Sequence, residues 1–114
     1  MVEIVVALDD AGLLRGIRLN GHAGDAPAGA NPACAAVTLM ARTVARMLAA
    51  RTGWTVDGDA PEPGNLSLEI IRRPGDTDEW LSGVTDTLMQ ALADIDAEYP
   101  DTVSVSLEEN KHGS

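Results

Sequence analysis

The fold of this chain is decided by residues 31–53, which have the sequence NPACAAVTLMARTVARMLAARTG. Asn is a preferred N-cap and Pro favours the first helical position, so a helix is predicted to begin at Pro32. Its larger apolar residues recur at helical spacing, at Val37, Met40, Val44, Met47 and Leu48. Gly53 stands where a left-handed residue would end a helix. The stretch therefore predicts a helix from Pro32 to about Thr52, with one face in the core.

Strand patterns lie on both sides of this helix. Residues 2–8 and 13–20 are separated by turn-forming residues, which predicts an opening hairpin. Residues 57–65 are rich in Asp, Gly and Pro and are interpreted as a loop. Residues 66–71 then alternate between apolar and polar side chains, as expected for a third strand.

A second helix and a last strand complete the pattern. The helix is predicted to begin at a cap at Asp76 or Thr77, with Asp76 and Glu79 at capping-box spacing, and to end at Tyr99. Residues 102–107 alternate as a strand. The predicted order is ββαβαβ. Because each element has one apolar face, we expect an α/β (α+β) fold, a two-layer sandwich in which one mixed sheet packs against two helices.

Length and charge limit the classes of protein. A chain of 114 residues suffices for one domain, predicted over 1–108 with a polar C-terminal tail over 109–114. The formal net charge of -10 would repel a phosphate backbone, so direct nucleic-acid binding is not expected. No apolar run approaches the roughly 20 residues that span a bilayer. We therefore expect a cytoplasmic protein without a membrane partner, and its single cysteine fits a reducing compartment.

Cys34 is the candidate nucleophile. It occupies the third predicted helical position, where backbone N–H groups and the positive end of the helix dipole favour a thiolate. His22 lies twelve positions earlier, across a glycine-rich stretch that could bring the two side chains together. As a hypothesis, His22 takes the thiol proton, Cys34 attacks a peptide carbonyl, and His22 protonates the leaving amine. N–H groups of residues 33–35 could form the oxyanion hole.

Other interpretations of these residues stay open. A lone cysteine near a helix start is usually a small buried hydrophobe, and a loop histidine is usually hydrogen-bonded or at the surface. A metal site of His22, Asp25 and Cys34 is disfavoured because structural zinc normally takes four ligands, and no metal or cofactor is expected. The alternatives to a protease are a non-catalytic acidic ribosome-assembly or protein-binding module, and a thiol-dependent transferase or hydrolase acting on a small molecule.

Two short motifs resemble those of a known family. Residues 21–23, Gly-His-Ala, and residues 34–37, Cys-Ala-Ala-Val, are similar to signatures of the ribosomal-processing cysteine protease (Prp) family. The resemblance implies a cytoplasmic endopeptidase that removes the N-terminal extension of a bacterial large-subunit ribosomal protein during ribosome assembly. It also implies a homodimer that acts on a basic ribosomal protein and needs no cofactor.

The same resemblance assigns roles to residues. It implies that His22 and Cys34 form the catalytic dyad, and that Gly21 is the hinge of a mobile loop that orders around substrate. The residues expected to contact substrate are Gly21, Ala23, Gly24, Asp25, Gly29, Asn31 and Ala35. The chain departs from the family pattern in three places. Asn31 stands where aspartate is usual, and Thr38 stands where serine is usual. Pro32 and Ala33 stand where the family usually has two β-branched residues. Asn31 can cap the helix but cannot strengthen an imidazolium by charge.

Overall fold

The computed structural model describes residues 1–21, 32–62 and 64–109, and these residues form five strands and two helices. In chain order the elements are β1 (Val2–Leu8), β2 (Leu14–Asn20), α1 (Pro32–Ala49), β3 (Thr55–Glu62), β4 (Asn65–Arg72), α2 (Asp78–Glu98) and β5 (Val103–Glu109). Within this described part, neither helix is both long and apolar enough to cross a membrane.

The strands form one mixed sheet in the order β3-β4-β2-β1-β5. Strand β1 pairs antiparallel with β2 and parallel with β5, so that Ile4 lies beside both Leu19 and Val105. Strand β4 pairs antiparallel with both β2 and β3. The two edges of the sheet, within the described residues, are therefore β3 and β5.

The core lies between the sheet and the two helices. Alternate residues of β1, namely Val2, Ile4 and Val6, are at most 1% exposed. They belong to the same buried cluster as Leu48 of α1 and Leu88 of α2. Both helices therefore cover the same face of the sheet, and the predicted two-layer α+β fold is confirmed. Full burial of each such side chain contributes about 1.5–3 kcal/mol to the free energy of folding.

The predicted order of elements is confirmed, but the structure adds one strand to it. The interpretation of residues 57–65 as a loop was wrong, because most of this segment belongs to β3. The strand lies at the edge of the sheet, and residues 57–60 are all exposed, so the usual alternation of buried apolar and exposed polar side chains is missing. An edge strand also tolerates Pro61, which has no N–H to donate.

The ends of several elements differ slightly from the prediction. Helix α1 ends at Ala49 rather than near Thr52. Gly53 does have a left-handed backbone, with φ of 87°, but it belongs to the turn that follows the helix. Strand β5 runs from Val103 to Glu109 rather than over 102–107, and residues 110–114 lie outside the described residues.

The start of α2 is held by an arginine instead of the expected capping box. Thr77 is the N-cap, but its hydroxyl donates to the carbonyl oxygen of Pro74 at 2.8 Å and makes no capping bond. The guanidinium of Arg73 donates to this hydroxyl at 2.7 Å and to a carboxylate oxygen of Asp78 at 2.6 Å. The capping-box prediction was therefore wrong for these residues, since Asp76 has a left-handed backbone with φ of 61°.

An apolar groove of about 760 Å³ runs between α1 and α2 on the outer surface. Leu39 is 63% exposed and Met47 is 44% exposed, and both line this groove. Met47 therefore does not fill the core, although the sequence pattern placed it there. The buried face of α1 includes Ala33 and Ala41, whereas Met40 is only partly buried, packing against the core and also lining the groove.

The buried hydroxyl of Thr85 joins α2 to β2. It accepts a hydrogen bond from the N–H of Leu14 at 2.9 Å and donates to the carbonyl oxygen of Leu81 at 2.8 Å. Thr85→Val should lower the free energy of unfolding by about 1–3 kcal/mol, because the buried N–H of Leu14 loses its acceptor. Urea unfolding at one protein concentration measures this loss.

The matched control is Thr87→Val on the same helix. Thr87 is exposed, and its hydroxyl donates to the carbonyl oxygen of Gly83 at 2.8 Å, so it has the same local bond without the link to β2. Its effect should stay within about 0.5 kcal/mol. Equal losses in the two variants would show that the bond to Leu14 contributes nothing measurable.

Candidate active site

Cys34 lies in the first turn of α1, against the end of β2. The helix begins at Pro32, as predicted, so the cysteine is its third residue. The side chain of Cys34 is 9% exposed and packs with the hydrophobic core. A helix N-terminus presents backbone N–H groups and a partial positive charge, and the first turn of α1 contains no acidic residue. This position suits a sulfur that carries negative charge during a reaction.

Gly21 leaves the space that the sulfur occupies. A Cβ atom built on Gly21 would lie 2.5 Å from Sγ of Cys34 and 3.1 Å from the carbonyl oxygen of Gly64. The first separation is shorter than real Cβ contacts, so any residue other than glycine would force the sulfur to move. The N–H of Gly21 also donates a hydrogen bond to the carbonyl oxygen of Gly64. The end of β2, the start of α1 and the β3–β4 turn therefore meet at the sulfur.

Gly64 is a neighbour of the candidate site that the sequence analysis missed. It has a left-handed backbone, with φ of 85°, in the turn between β3 and β4. The pairing of Asn20 with Asn65 brings this turn beside Gly21. The signal that could have found it is the Pro63-Gly64 dipeptide, which is typical of a tight turn. Its position near the cysteine depends on sheet pairing, which no local pattern predicts.

The structure describes three of the predicted site residues, and it brings two of them together. Gly21 lies against the sulfur of Cys34, while Ala35 is exposed in the same turn of α1. The other predicted residues lie outside the described part of the chain: His22, Ala23, Gly24, Asp25, Gly29 and Asn31. The pairing of His22 with Cys34 therefore stays a prediction. Among the described residues, no group of three His, Cys, Asp or Glu side chains could hold a metal ion.

Comparison with protein families decides the identity of the chain. A family model described as cysteine protease Prp matches residues 1–104. The chain belongs to the Prp cysteine protease family. The match extends from β1 into β5, and it includes Gly21, Cys34 and Gly64. The junction at the sulfur thus lies within the part of the chain that defines it as a Prp protein.

Solved Prp structures have the same fold. The S. aureus ribosomal processing protease Prp with a substrate peptide is 15% identical, with a TM-score of 0.75, and the match covers 95% of this chain and 100% of that one. The same protease with a covalently linked product peptide is 17% identical, with a TM-score of 0.73 and coverages of 95% and 100%. A Streptococcus mutans protein is 19% identical, with a TM-score of 0.71 and 96% of each chain covered. Among curated proteins, none matches the chain.

Substitution of Gly21 tests the close packing at the sulfur. Gly21→Ala should lower the free energy of unfolding by about 1–3 kcal/mol, because the added methyl group would overlap Sγ of Cys34 and force it to move. Urea unfolding measures the change. Gly75→Ala is the matched control, since a Cβ atom there would have nothing within 4 Å. The packing account is wrong if the two alanine variants are equally stable.

Proposed function

We propose that this Prp family member is a cysteine endopeptidase that removes the N-terminal extension of a bacterial large-subunit ribosomal protein during ribosome assembly. One observation supports this most directly: Cys34 lies at a helix N-terminus with Gly21 against its sulfur, and Gly21 precedes His22 in the sequence. The similar S. aureus protease was crystallised with a substrate peptide and with a covalently linked product peptide.

The proposed reaction uses two residues and a water molecule. His22 accepts the thiol proton, and the sulfur of Cys34 attacks the carbonyl carbon of the scissile peptide bond. N–H groups in the first turn of α1 stabilise the oxyanion, and Pro32 contributes none of them. His22 then protonates the leaving amine, which leaves a thioester on the sulfur. Water, deprotonated by His22, hydrolyses the thioester and restores the thiol.

The charge of the chain supports a basic protein as the substrate. The formal net charge is -10, from 18 acidic and 8 basic residues. An acidic surface attracts a basic polypeptide and speeds the formation of the first encounter. Because exposed charges are screened by salt, this contribution should fall as ionic strength rises.

Cleavage of the ribosomal protein with its native N-terminus tests the proposed function. Cys34→Ala and His22→Ala should each lower kcat/KM by about a thousandfold or more, because each removes a partner of the reaction. Mass spectrometry of the products measures both the rate and the cleaved bond. His112→Ala is the matched control, since it removes the other histidine of the chain and should leave the rate unchanged.

Two other outcomes would reassign the function. A cut that persists in Cys34→Ala would mean that another residue is the nucleophile. An intact substrate, together with a cysteine whose alkylation rate rises with pH as that of an ordinary thiol does, would favour a non-catalytic protein-binding module. The burial of Cys34 in the core cluster is the observation that favours this second candidate.

The proposed homodimer has a suitable surface in the groove between α1 and α2. Leu39 and Met47 are exposed there, and the partly buried Met40 and Trp80 line the same groove. Exposed apolar surface of this kind is typical of a protein contact. We therefore place the contact between two copies of the chain on this face.

Leu39→Glu should convert the dimer to a monomer, because a carboxylate would be buried in the apolar contact. Sedimentation equilibrium measures the mass of the assembly. Ile71→Glu is the matched control. Ile71 is exposed to a similar extent, 57% against 63% for Leu39, but it lies on β4 rather than on α1. A monomeric wild type would exclude the proposed dimer. A dimer that Leu39→Glu leaves intact would place the contact elsewhere.

A further inference from the structure

Strand β3 runs away from the candidate active site along an open edge of the sheet. Its last residue pairs with Asn65, next to Gly64, whose carbonyl oxygen accepts the hydrogen bond from Gly21. Gly21 in turn lies against the sulfur of Cys34. Among the described residues, no strand pairs with the other side of β3. An extended peptide that passes the sulfur could therefore continue along this edge and pair with it.

A groove of about 230 Å³ separates β3 from α1. Its walls are formed by Arg42, Ala45 and Arg46 of α1 and by Gly58, Asp59 and Ala60 of β3, with Leu66 and Ser67 of β4 also lining it. Gly58 is exposed, and a Cβ atom built on it would meet only the carbonyl oxygen of Ser67, at 3.8 Å. The absence of a side chain at this position keeps the groove open to a neighbouring chain.

Arg42 and Arg46, like Arg72, lack the carboxylate or aromatic partner that the other arginines have within the described residues. Arg18 donates to a carboxylate oxygen of Glu108 at 2.8 Å, which lowers the pKa of that carboxyl, and Arg15 contacts the same carboxylate. Within the described residues, Arg42 and Arg46 form no ion pair with a carboxylate, and both are exposed.

The other arginines complete this comparison. Arg73 pairs with Asp78, and Arg51 lies 3.9 Å from the ring centroid of Trp80. Like charges four residues apart on a helix destabilise it slightly, by about 0.2–0.5 kcal/mol. Arg42 and Arg46 have this spacing and face one groove, so their mutual repulsion destabilises the helix slightly. A carboxylate bound between them would remove this repulsion.

The distance along α1 sets where on the substrate such a carboxylate would lie. A helix rises about 1.5 Å per residue, so the Cα atoms of Arg42 and Arg46 lie about 12 and 18 Å from the Cα atom of Cys34 along the helix axis. An extended chain advances about 3.3 Å per residue. The two guanidinium groups therefore lie level with substrate residues about four or five positions from the scissile bond.

We propose that the substrate binds in extended conformation along the open edge of β3, and that Arg42 and Arg46 bind the carboxylate of an acidic substrate residue about four or five positions from the scissile bond. This inference rests on the proposed function and names a specificity determinant for it. Asp59 on the opposite wall is a single negative charge against the two arginines.

Peptide binding to the Cys34→Ala protein tests the inference without requiring turnover. The probes are fluorescein-labelled peptides from the N-terminal segment of the host's large-subunit ribosomal protein. The peptides are made in pairs that differ at one position, which is Glu in one peptide and Gln in the other. The scanned positions lie three to six residues from the expected cut, on either side. Fluorescence anisotropy should show about fivefold to tenfold tighter binding of the Glu peptide at one or two adjacent positions.

The arginines should account for that preference. Adding Arg42→Ala and Arg46→Ala should abolish the difference between the Glu and Gln peptides, and salt should weaken it in the parent protein. Arg72→Ala is the matched control, because Arg72 is an exposed arginine at the far end of the β3–β4 hairpin and forms no ion pair within the described residues. It should leave the preference intact.

Gly58→Val tests the position of the substrate chain. Valine favours a strand, and its Cβ has room, so the free energy of unfolding should rise or stay unchanged. Its side chain should fill the groove and weaken peptide binding about tenfold. A less stable protein would instead show that the variant acts through the fold.

The outcomes separate this inference from the function on which it rests. Suppose that the wild type cleaves the substrate. The inference alone is then overturned if no scanned position prefers Glu, or if a preference for Glu survives the loss of both arginines. Binding that depends on the arginines without any cleavage supports the inference and removes the proposed hydrolysis. Failure of every peptide to bind overturns the inference, and it overturns the proposed function as well if the wild type leaves the ribosomal protein intact.

Discussion

The candidate site depends on the backbone pairing of β2 with β4. Asn20 lies opposite Asn65 in this pairing, so Gly21 and Gly64 follow at the same end of the sheet. Helix α1 then places Cys34 over Gly21, where there is no room for a side chain. A slip of one residue would turn every side chain of β2 to the opposite face of the sheet. Burial of the apolar face of β2 therefore also positions the sulfur.

Helix α1 uses three sides of its surface for different purposes. Val37 and Ala41 face the sheet, and the small alanine lets the helix approach it closely. Leu39 projects toward the groove shared with α2, where we place the dimer contact. Arg42 faces β3, where we place the substrate chain. Because successive residues on a helix are about 100° apart, one helix with the candidate nucleophile in its first turn can face the core, the proposed partner copy and the proposed substrate.

The charges of the chain are distributed unevenly over these surfaces. Most acidic residues in the described part of the chain are exposed, including Asp94, Asp96 and Glu98 near the end of α2. Several arginines have local partners: Arg18 and Arg73 pair with carboxylates, and Arg51 lies against the Trp54 and Trp80 rings. Arg42 and Arg46 form no ion pair within the described part of the chain. A strongly acidic protein can thus attract a basic substrate over long distance and still recognise a carboxylate at short range, since the two effects act on different length scales.

Local patterns predicted most of the fold. The helix start at Pro32, the strands with alternating residues and the two-layer arrangement follow from periodicity and turn chemistry, which act over a few residues. Strand β3 escaped prediction because an exposed edge strand needs no alternation. Met47 was assigned to the core because its spacing fits the helix, whereas the actual buried face is set by how closely the alanines approach the sheet.

The sequence by itself determined which residue could act as a nucleophile and where it would stand: a single cysteine in the first turn of a helix, within motifs typical of the Prp family. Only the tertiary structure decided what surrounds it. Gly64, in the β3–β4 turn, accepts a hydrogen bond from Gly21, which lies against the sulfur of Cys34, and Arg42 faces β3 across a groove. The physical reason is that these contacts join residues far apart in the chain, and sheet pairing and helix packing, not local preference, set their distances.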